Sequence, residues 1–471
     1  MKYQYLLLYL TLFSFACKND TKNVRQASDG NEPPNILFLL TDDQRFNALG
    51  FAGNTILKTP HLDSLARNGV YFNNAFVTTS ICAVSRASIL TGQYARRHGI
   101  WGFDKNLSEE QFANTYPMLL KKAGYTVGFI GKYGVGNKMP KEAFNYWRGF
   151  PGQGTFKAVD DKGDSVHLTQ KMGKQAIQFI TGQQTRDTPF CLSISFKAPH
   201  VDESYGPGFF LFDKAYHSEY ASDTIPVPIT SSETYFDYFP ETFTANNVAR
   251  NRWEQRFKTL GMQQESIKGY YRLIHGVDVV VGQILETLKE TGKDQNTVIV
   301  FTSDNGFYLG EYGFAGKWYG SEPSIRVPML IYDPRPKAVK GKLVDHKVLN
   351  IDIAPTILSF AGVPIPSTMQ GSDLTELIQN PEREWRDSFF YEHLWQSSDQ
   401  YYIPSTEGVV SGDKKYMKYF MNRDTTHIIF EELYDLGQDP LEINNLSGQW
   451  EAAELEASLR QKYVELKKSA E

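Results

Sequence analysis

The stretch Ser80–Gly92, SICAVSRASILTG, holds one of only three cysteines in a 471-residue chain, and Arg86 follows Cys82 by four positions. A short helix is expected to start between them. At a helix N-terminus, with Arg86 one turn on, the dipole and the guanidinium favour a thiolate. The same features make an anion site. Asp42–Asp43 and Asp304–Asn305 offer hard oxygen ligands for Ca²⁺ or Mg²⁺. No His/Cys cluster has zinc spacing. With Lys132 and His200 as helpers, the set reads as a nucleophile beside a bound oxyanion and a divalent cation. That chemistry suits transfer of a sulfuryl or phosphoryl group.

Each signal alone has a plainer reading. Asp42–Asp43 could cap a helix, and Asp304-Asn305-Gly306 could be a turn. His200 could be a hydrogen-bonded loop residue, Lys132 a solvated lysine, and Cys82 a small buried residue before a core helix. Cys191, inside PFCLSISF, reads as inert core.

The elements that would position these groups are short apolar runs alternating with helical patterns. The runs are 35–40 (NILFLL), 126–130 (TVGFI), 191–196 (CLSISF), 297–301 (TVIVF) and 327–332 (VPMLIY). Helical periodicity covers 61–68, 174–181, 265–291 and 351–361. The pattern predicts an α/β fold, a large, mostly parallel sheet with helices on both faces. Ligands then bind beyond the carboxyl ends of the strands. There stand Asp42 and Asp43 after the first run, Lys132 after the second, His200 after the third, and Asp304 and Asn305 after the fourth. Between 201 and 256 the periodicity fails in a long aromatic stretch, which predicts a functional loop. Beyond about 373, short strands at 388–395, 407–411, 415–420 and 427–433 and an amphipathic helix at 451–468 predict a smaller antiparallel α+β subdomain.

A net charge of −5 argues against a nucleic-acid partner. The N-terminus, MKYQYLLLYLTLFSFACKND, has Lys2, an apolar region at 6–15, and Ala16 before Cys17. It reads as an export signal, too short for a membrane span. Ala16-Cys17 resembles the cleavage and lipidation site of bacterial lipoproteins, although Ser14 stands where that pattern prefers Leu. The expected organisation is a signal over 1–17, a polar linker over 18–33, a catalytic domain over 34–373 and a C-terminal subdomain over 374–471. The expected location is the periplasm or cell surface of a Gram-negative bacterium, with membrane attachment only through a lipid on Cys17. With Cys17 lipidated, two cysteines remain, too few for a disulfide framework.

SICAVSRASILTG resembles the signature of the formylglycine-dependent sulfatases, whose fold is that of the alkaline phosphatase superfamily. NILFLLTDDQ, TPHLDSLARNGVYFNNAF, GFIGKYGVG, FKAPH, GVDVVVGQIL, DIAPTILSFAGV and LYDLGQDPLEINNL look like sulfatase segments in the expected order, as does the long stretch 300–329. The resemblance implies that a formylglycine-generating or anaerobic sulfatase-maturating enzyme oxidises Cys82 to formylglycine, whose hydrated diol attacks the sulfur. It implies Ca²⁺ on Asp42, Asp43, Asp304 and Asn305, with the residue at 82 beside the ion. Arg86, Lys132, His200 and Lys317 match positions that hold the modified residue or the sulfate, and His200 is the expected acid for the leaving alcohol. Two positions depart from the pattern. Val84 stands where the family has Pro or Ala, and Gly134 stands where GKWH has its histidine; His98 is the candidate substitute. The expected substrate is a sulfated carbohydrate, with a lean to algal polysaccharide. Rings in 205–239 and His393 are expected to contact it, with roughly half of the rings forming a local hydrophobic cluster under the loop instead. The alternatives are a phosphatase or phosphonate hydrolase on the same scaffold, and a degenerate sulfatase that only binds glycan.

Overall fold

The computed structural model describes residues 32–186, 188–203, 209–395 and 402–471. The leader and lipidation site at 1–17 lie outside the described residues. Within them, no helix is long and apolar enough to cross a membrane. In chain order the strands of the first three-quarters are β1 (Asn35–Asp42), β2 (Val70–Phe76), β3 (Thr126–Lys132), β4 (Tyr146–Phe150), β5 (Lys157–Val159), β6 (Ser165–His167), β7 (Phe190–Pro199), β8 (Thr297–Ser303), β9 (Tyr308–Leu309), β10 (Ala315–Gly316), β11 (Arg326–Val327), β12 (Met329–Tyr332) and β13 (Lys342–Leu349).

Nine of these form one sheet in the order β11-β2-β12-β8-β1-β7-β3-β4, with β13 beside β2. The block β8-β1-β7-β3-β4 is parallel throughout. β12 runs antiparallel to both neighbours. All five apolar runs of the sequence are therefore adjacent strands, but the fifth points its carboxyl end away from the others. β1 has no exposed residue, which explains its unbroken apolar reading: a strand covered on both faces needs no alternation. Ile36, Phe38 and Leu40 enter the core on one face, and Leu37 and Leu39 enter a second core on the other. The second core is closed by the helices Leu168–Gly182 and Leu260–Glu290. Both extend beyond the periodic windows read from sequence, at their N-terminal ends above all.

The C-terminal sheet holds β14 (Ser388–His393), β15 (Ser405–Ser411), β16 (Lys414–Phe420) and β17 (Ile428–Asp435), all antiparallel in sequence order. The helix Ala453–Ser469 lays Leu459 and Tyr463 on it, with Leu455 and Leu466 beside them. This sheet braces the site-bearing one. The Tyr391 hydroxyl donates to the Trp318 carbonyl at 2.6 Å, and the Glu392 N–H donates to the Thr78 carbonyl at 3.1 Å.

Candidate active site

Four neighbouring parallel strands deliver the predicted residues to one edge. β1 ends at Asp42 with Asp43 next, β3 ends at Lys132, β7 leads to His200, and β8 leads to Asp304 and Asn305. From outside this block comes the helix Cys82–Thr91, buried along its whole length. Its start is fixed by the Ser80 hydroxyl donating to the Ser324 carbonyl at 2.8 Å, and by Asn350, which joins Thr78 to Ser85. Gly92 ends it at φ 65°. Cys82 therefore stands at the helix N-terminus with Arg86 one turn behind, as the spacing predicts.

The charges interlock. Lys132 Nζ donates to Asp42 Oδ2 at 2.5 Å. Arg86 Nε donates to Asp304 Oδ2 at 2.8 Å, and its Nη2 lies 2.8 Å from the same oxygen and 3.5 Å from Asp42 Oδ2. Arg86 Nη1 donates to the Lys132 carbonyl at 2.6 Å and to the Ser195 hydroxyl. Lys317 donates to Asp43 Oδ1, which also accepts from Asn305 Nδ2 at 2.6 Å. Every nitrogen of Arg86 is thus turned to the protein. Arg86 ties Asp42 to Asp304 and lies within reach of the charge at Cys82, the neighbourhood expected of a residue that holds the modified side chain or the sulfate.

Burial and charge decide protonation. Burial opposes the charge on Asp42, but Lys132, Arg86 and Lys317 hold its carboxyl well below the usual range. Burial, with Asp42's charge added, pushes Asp304 up to about 7, and burial also raises Asp43 against Lys317. Burial holds His200 well below its usual value, so the ring is neutral. Its Nδ1–H donates to the Val201 carbonyl at 2.7 Å, which leaves the Nε2 lone pair facing Asp43 Oδ2 at 3.6 Å.

Arg86, Lys132 and Lys317 offset the mutual repulsion of the three carboxylates. Ligand atoms of Asp42, Cys82 and Asp304 lie within 4.8 Å of one another, as do those of Asp42, Asp43 and His200. Asp42 Oδ1 and Asn305 Oδ1 are buried without a hydrogen-bond partner. Buried oxygens are rarely left so. Two orphaned oxygens among carboxylates fit a hard divalent ion. Asp43, a member of this set, and Trp318, directly after Lys317, both hold left-handed backbone, at φ 71° and 90°. Non-glycine residues seldom do so outside functional or turn positions.

Two glycines explain the turn after β3. At Gly131 a Cβ would fall 2.1 Å from the Ser195 carbonyl oxygen. At Gly134, φ 73°, a Cβ would meet Arg86 Cδ at 2.7 Å. The Arg86 stem therefore fills the space into which a side chain at 134 would project. His98 does not replace the histidine missing there. It accepts from the Ile100 N–H at Nδ1 and meets the Ser88 hydroxyl at Nε2, 3.0 Å away, so both nitrogens serve the fold. Burial lowers it to about 3.

His393 is fully buried at the end of β14, and neither ring nitrogen has a partner among the described residues. It offers no open surface to a substrate. The aromatic stretch divides into packed and exposed rings. Phe210 packs edge-on against Tyr270 and Phe307, and Phe236, Phe239 and Phe243 close on Phe314. Phe212 lies under Arg272, and Tyr216 lies against His275. Phe209 and Tyr238 remain exposed, at 53% and 71%. Tyr205 lies outside the described residues.

Three groups in the site carried no sequence expectation. Ser195 holds Arg86. Gln153 Oε1 accepts from Lys132 Nζ at 2.6 Å. Lys197, lowered to about 8 by burial and Lys132's charge, donates to the Val201 carbonyl at 3.0 Å. Ser195 left a trace, a polar residue alternating through an apolar strand; Gln153, in a glycine-rich loop, left none.

The family model described as Sulfatase matches residues 34–363, and that of the N-sulphoglucosamine sulphohydrolase C-terminal region matches 310–469. An N-acetylglucosamine-6-O-sulfatase of Bacteroides thetaiotaomicron is 28% identical over 98% of this chain and 90% of its own. An ulvan-active sulfatase of Formosa agariphila is 29% identical over 98% and 86%. A structure solved in complex with its substrate, D-glucosamine-2-N,6-O-disulfate, superposes with a TM-score of 0.77 at 25% identity, covering 93% of this chain and 98% of that one. The phosphonate monoester hydrolase of Agrobacterium radiobacter shares the fold, with a TM-score of 0.76 at 20% identity over 93% and 96%.

Proposed function

The chain belongs to the sulfatase family, the type I sulfatases of the alkaline phosphatase superfamily, and is a sulfuric ester hydrolase, and from that premise we propose that it removes sulfate from a sulfated polysaccharide or oligosaccharide. Cys82, matured to formylglycine by a dedicated enzyme, is the nucleophile, and Asp42, Asp43, Asp304 and Asn305 hold one Ca²⁺. The observation that carries this reading is the convergence of Cys82 Sγ with Asp42 and Asp304 oxygens inside 4.8 Å at a helix N-terminus. The substrates named for these relatives include an amino sugar and ulvan. They support a sugar without choosing between algal and glycosaminoglycan material. The leader supports an exported protein, lipid-anchored at Cys17.

When present, the modified residue supplies a diol oxygen as nucleophile and the ion supplies positive charge against the sulfate oxygens. The chain's own groups do the rest. Lys132 and Lys317, buried at the carboxylates, are the cations that would stabilise charge on the sulfate oxygens. Arg86 fixes the two carboxylates it bridges. His200 Nε2 is the atom that carries a proton to the departing alcohol. Burial disfavours the charged ring, so Nε2 is free to take up the proton that the attacking hydroxyl releases and to pass it on.

A paired assay tests the reading. Turnover of an aryl sulfate should exceed that of the matching aryl phosphate by about tenfold or more in kcat/KM. Faster phosphate turnover would replace the reading with a phosphatase or phosphonate hydrolase.

A further inference from the structure

Beside the active site lies a groove of about 630 Å³ whose walls carry Lys141, Arg148, Lys157 and Lys171, with Trp147 and Gln175 between them. No lining residue is acidic, in a chain whose net charge is −5. Lys141, Arg148 and Lys171 have no carboxylate within ion-pair distance among the described residues. Arg148 rests on the Tyr146 ring at 4.7 Å and donates to the Trp147 carbonyl. The nearby acids sit on the turn between β5 and β6, where Asp160 is paired with Lys174 at 2.9 Å.

The groove is joined to the chemistry. Gly149 and Phe150 of its wall pair in register with Gly131 and Lys132, about 4.8 Å across the sheet. Its next wall residue, Gly154, follows Gln153, whose carboxamide holds Lys132 Nζ. Its floor is the Leu168–Gly182 helix, whose Met172 lies against Gly131. Lys141, Arg148 and Lys171, gathered along a concave wall, focus a positive field. The sulfate being cleaved already has Lys132 and Lys317.

We propose that this groove is an anion-binding subsite that holds a sulfate or carboxylate substituent on a sugar unit beyond the one being desulfated, so that the enzyme grips a polyanionic chain. The proposal rests on the sulfated-carbohydrate reading and adds to it where the polymer runs: outward from Lys132, across β4 and along the helix floor. Phe150, half-buried beside Gly154, offers an apolar face to a sugar ring between charges.

The test is the combined Lys141→Glu, Arg148→Glu, Lys171→Glu variant, whose residues are exposed or half-exposed. Its selectivity, kcat/KM on a polysulfated oligosaccharide divided by that on a small aryl sulfate, should fall about tenfold or more, through KM. A singly sulfated oligosaccharide of equal length should fall far less. Oligosaccharides whose second anion is a carboxylate or a sulfate identify the substituent that is read. An unchanged selectivity overturns the subsite, and so does an equal loss on the singly sulfated chain, which would mean that length, not charge, is read. Binding is measured separately, with dextran sulfate against neutral dextran, in a Cys82→Ala background. There the charge reversal should weaken dextran sulfate about tenfold and flatten its salt dependence. If the wild type hydrolyses no sulfate ester, the functional reading fails, yet this binding experiment still decides the groove.

Discussion

Replacing Cys82 by alanine should lower turnover of every sulfate ester by about 10⁴-fold or more, the scale expected when a covalent nucleophile is removed. The fold should tolerate it, since the side chain is small and its loss opens little space. Cys82→Ser is the sharper variant. It keeps size and a hydroxyl, and it can attack sulfur once. Without a second hydroxyl it cannot expel the sulfate, so it should accumulate as a sulfated serine that mass spectrometry detects. A serine variant with near-native turnover would dismiss the formylglycine reading. The same mass measurement on wild-type protein from its native host should find the Cys82 peptide converted to the aldehyde or its hydrate. A wholly unmodified cysteine there would favour the glycan-binding alternative, since Val84 departs from the pattern that the maturing enzyme reads.

The second large effect is expected at Asp304. Asp304→Asn keeps the shape but removes the charge, and it should reduce kcat by about 10³-fold or more through loss of the ion. Elemental analysis should find one divalent ion per wild-type chain and much less in the variant, which separates a lost metal from a damaged nucleophile. Near-native turnover with retained metal would refute the ligand set. The conservative change matters because Arg86 is almost fully buried on this carboxylate and on Asp42. Truncating Asp304 to alanine would strand the guanidinium, at a cost of about 3–5 kcal/mol when one partner of a buried pair is removed. An alanine variant would confuse folding with catalysis.

The strand-end residues were legible because a parallel sheet buried on both faces spells its strands as plain apolar runs. Whatever follows such a run stands at the functional edge. Asp42, Lys132, His200 and Asp304 were found this way. β4, reading YWRGF, was not, because an edge strand half-open to solvent has no need of an apolar run. Lys317 follows no long strand, and only the family resemblance indicated it. Its position depends on Trp318 in left-handed backbone and on the Tyr391 hydroxyl, a contact 73 residues distant in sequence. The 201–256 stretch was legible only in part. Some of its rings, Phe210, Phe236 and Phe239 among them, pack onto the body, while Phe209 and Tyr238 stay exposed, a division that composition cannot make.

The sheet order has a consequence for the protein's time-averaged behaviour. β1 is hydrogen-bonded on both sides and has no exposed residue, whereas β4 has one partner and a half-open face. Amide protons of β4 should exchange through local fraying, while those of β1 wait for the whole molecule to open. Hydrolysis and polymer grip are thereby assigned to opposite ends of the protein's range of opening rates. Sequence drift along β4 and its following loop can change which polymer is gripped without disturbing the strands that carry Asp42 and Asp304.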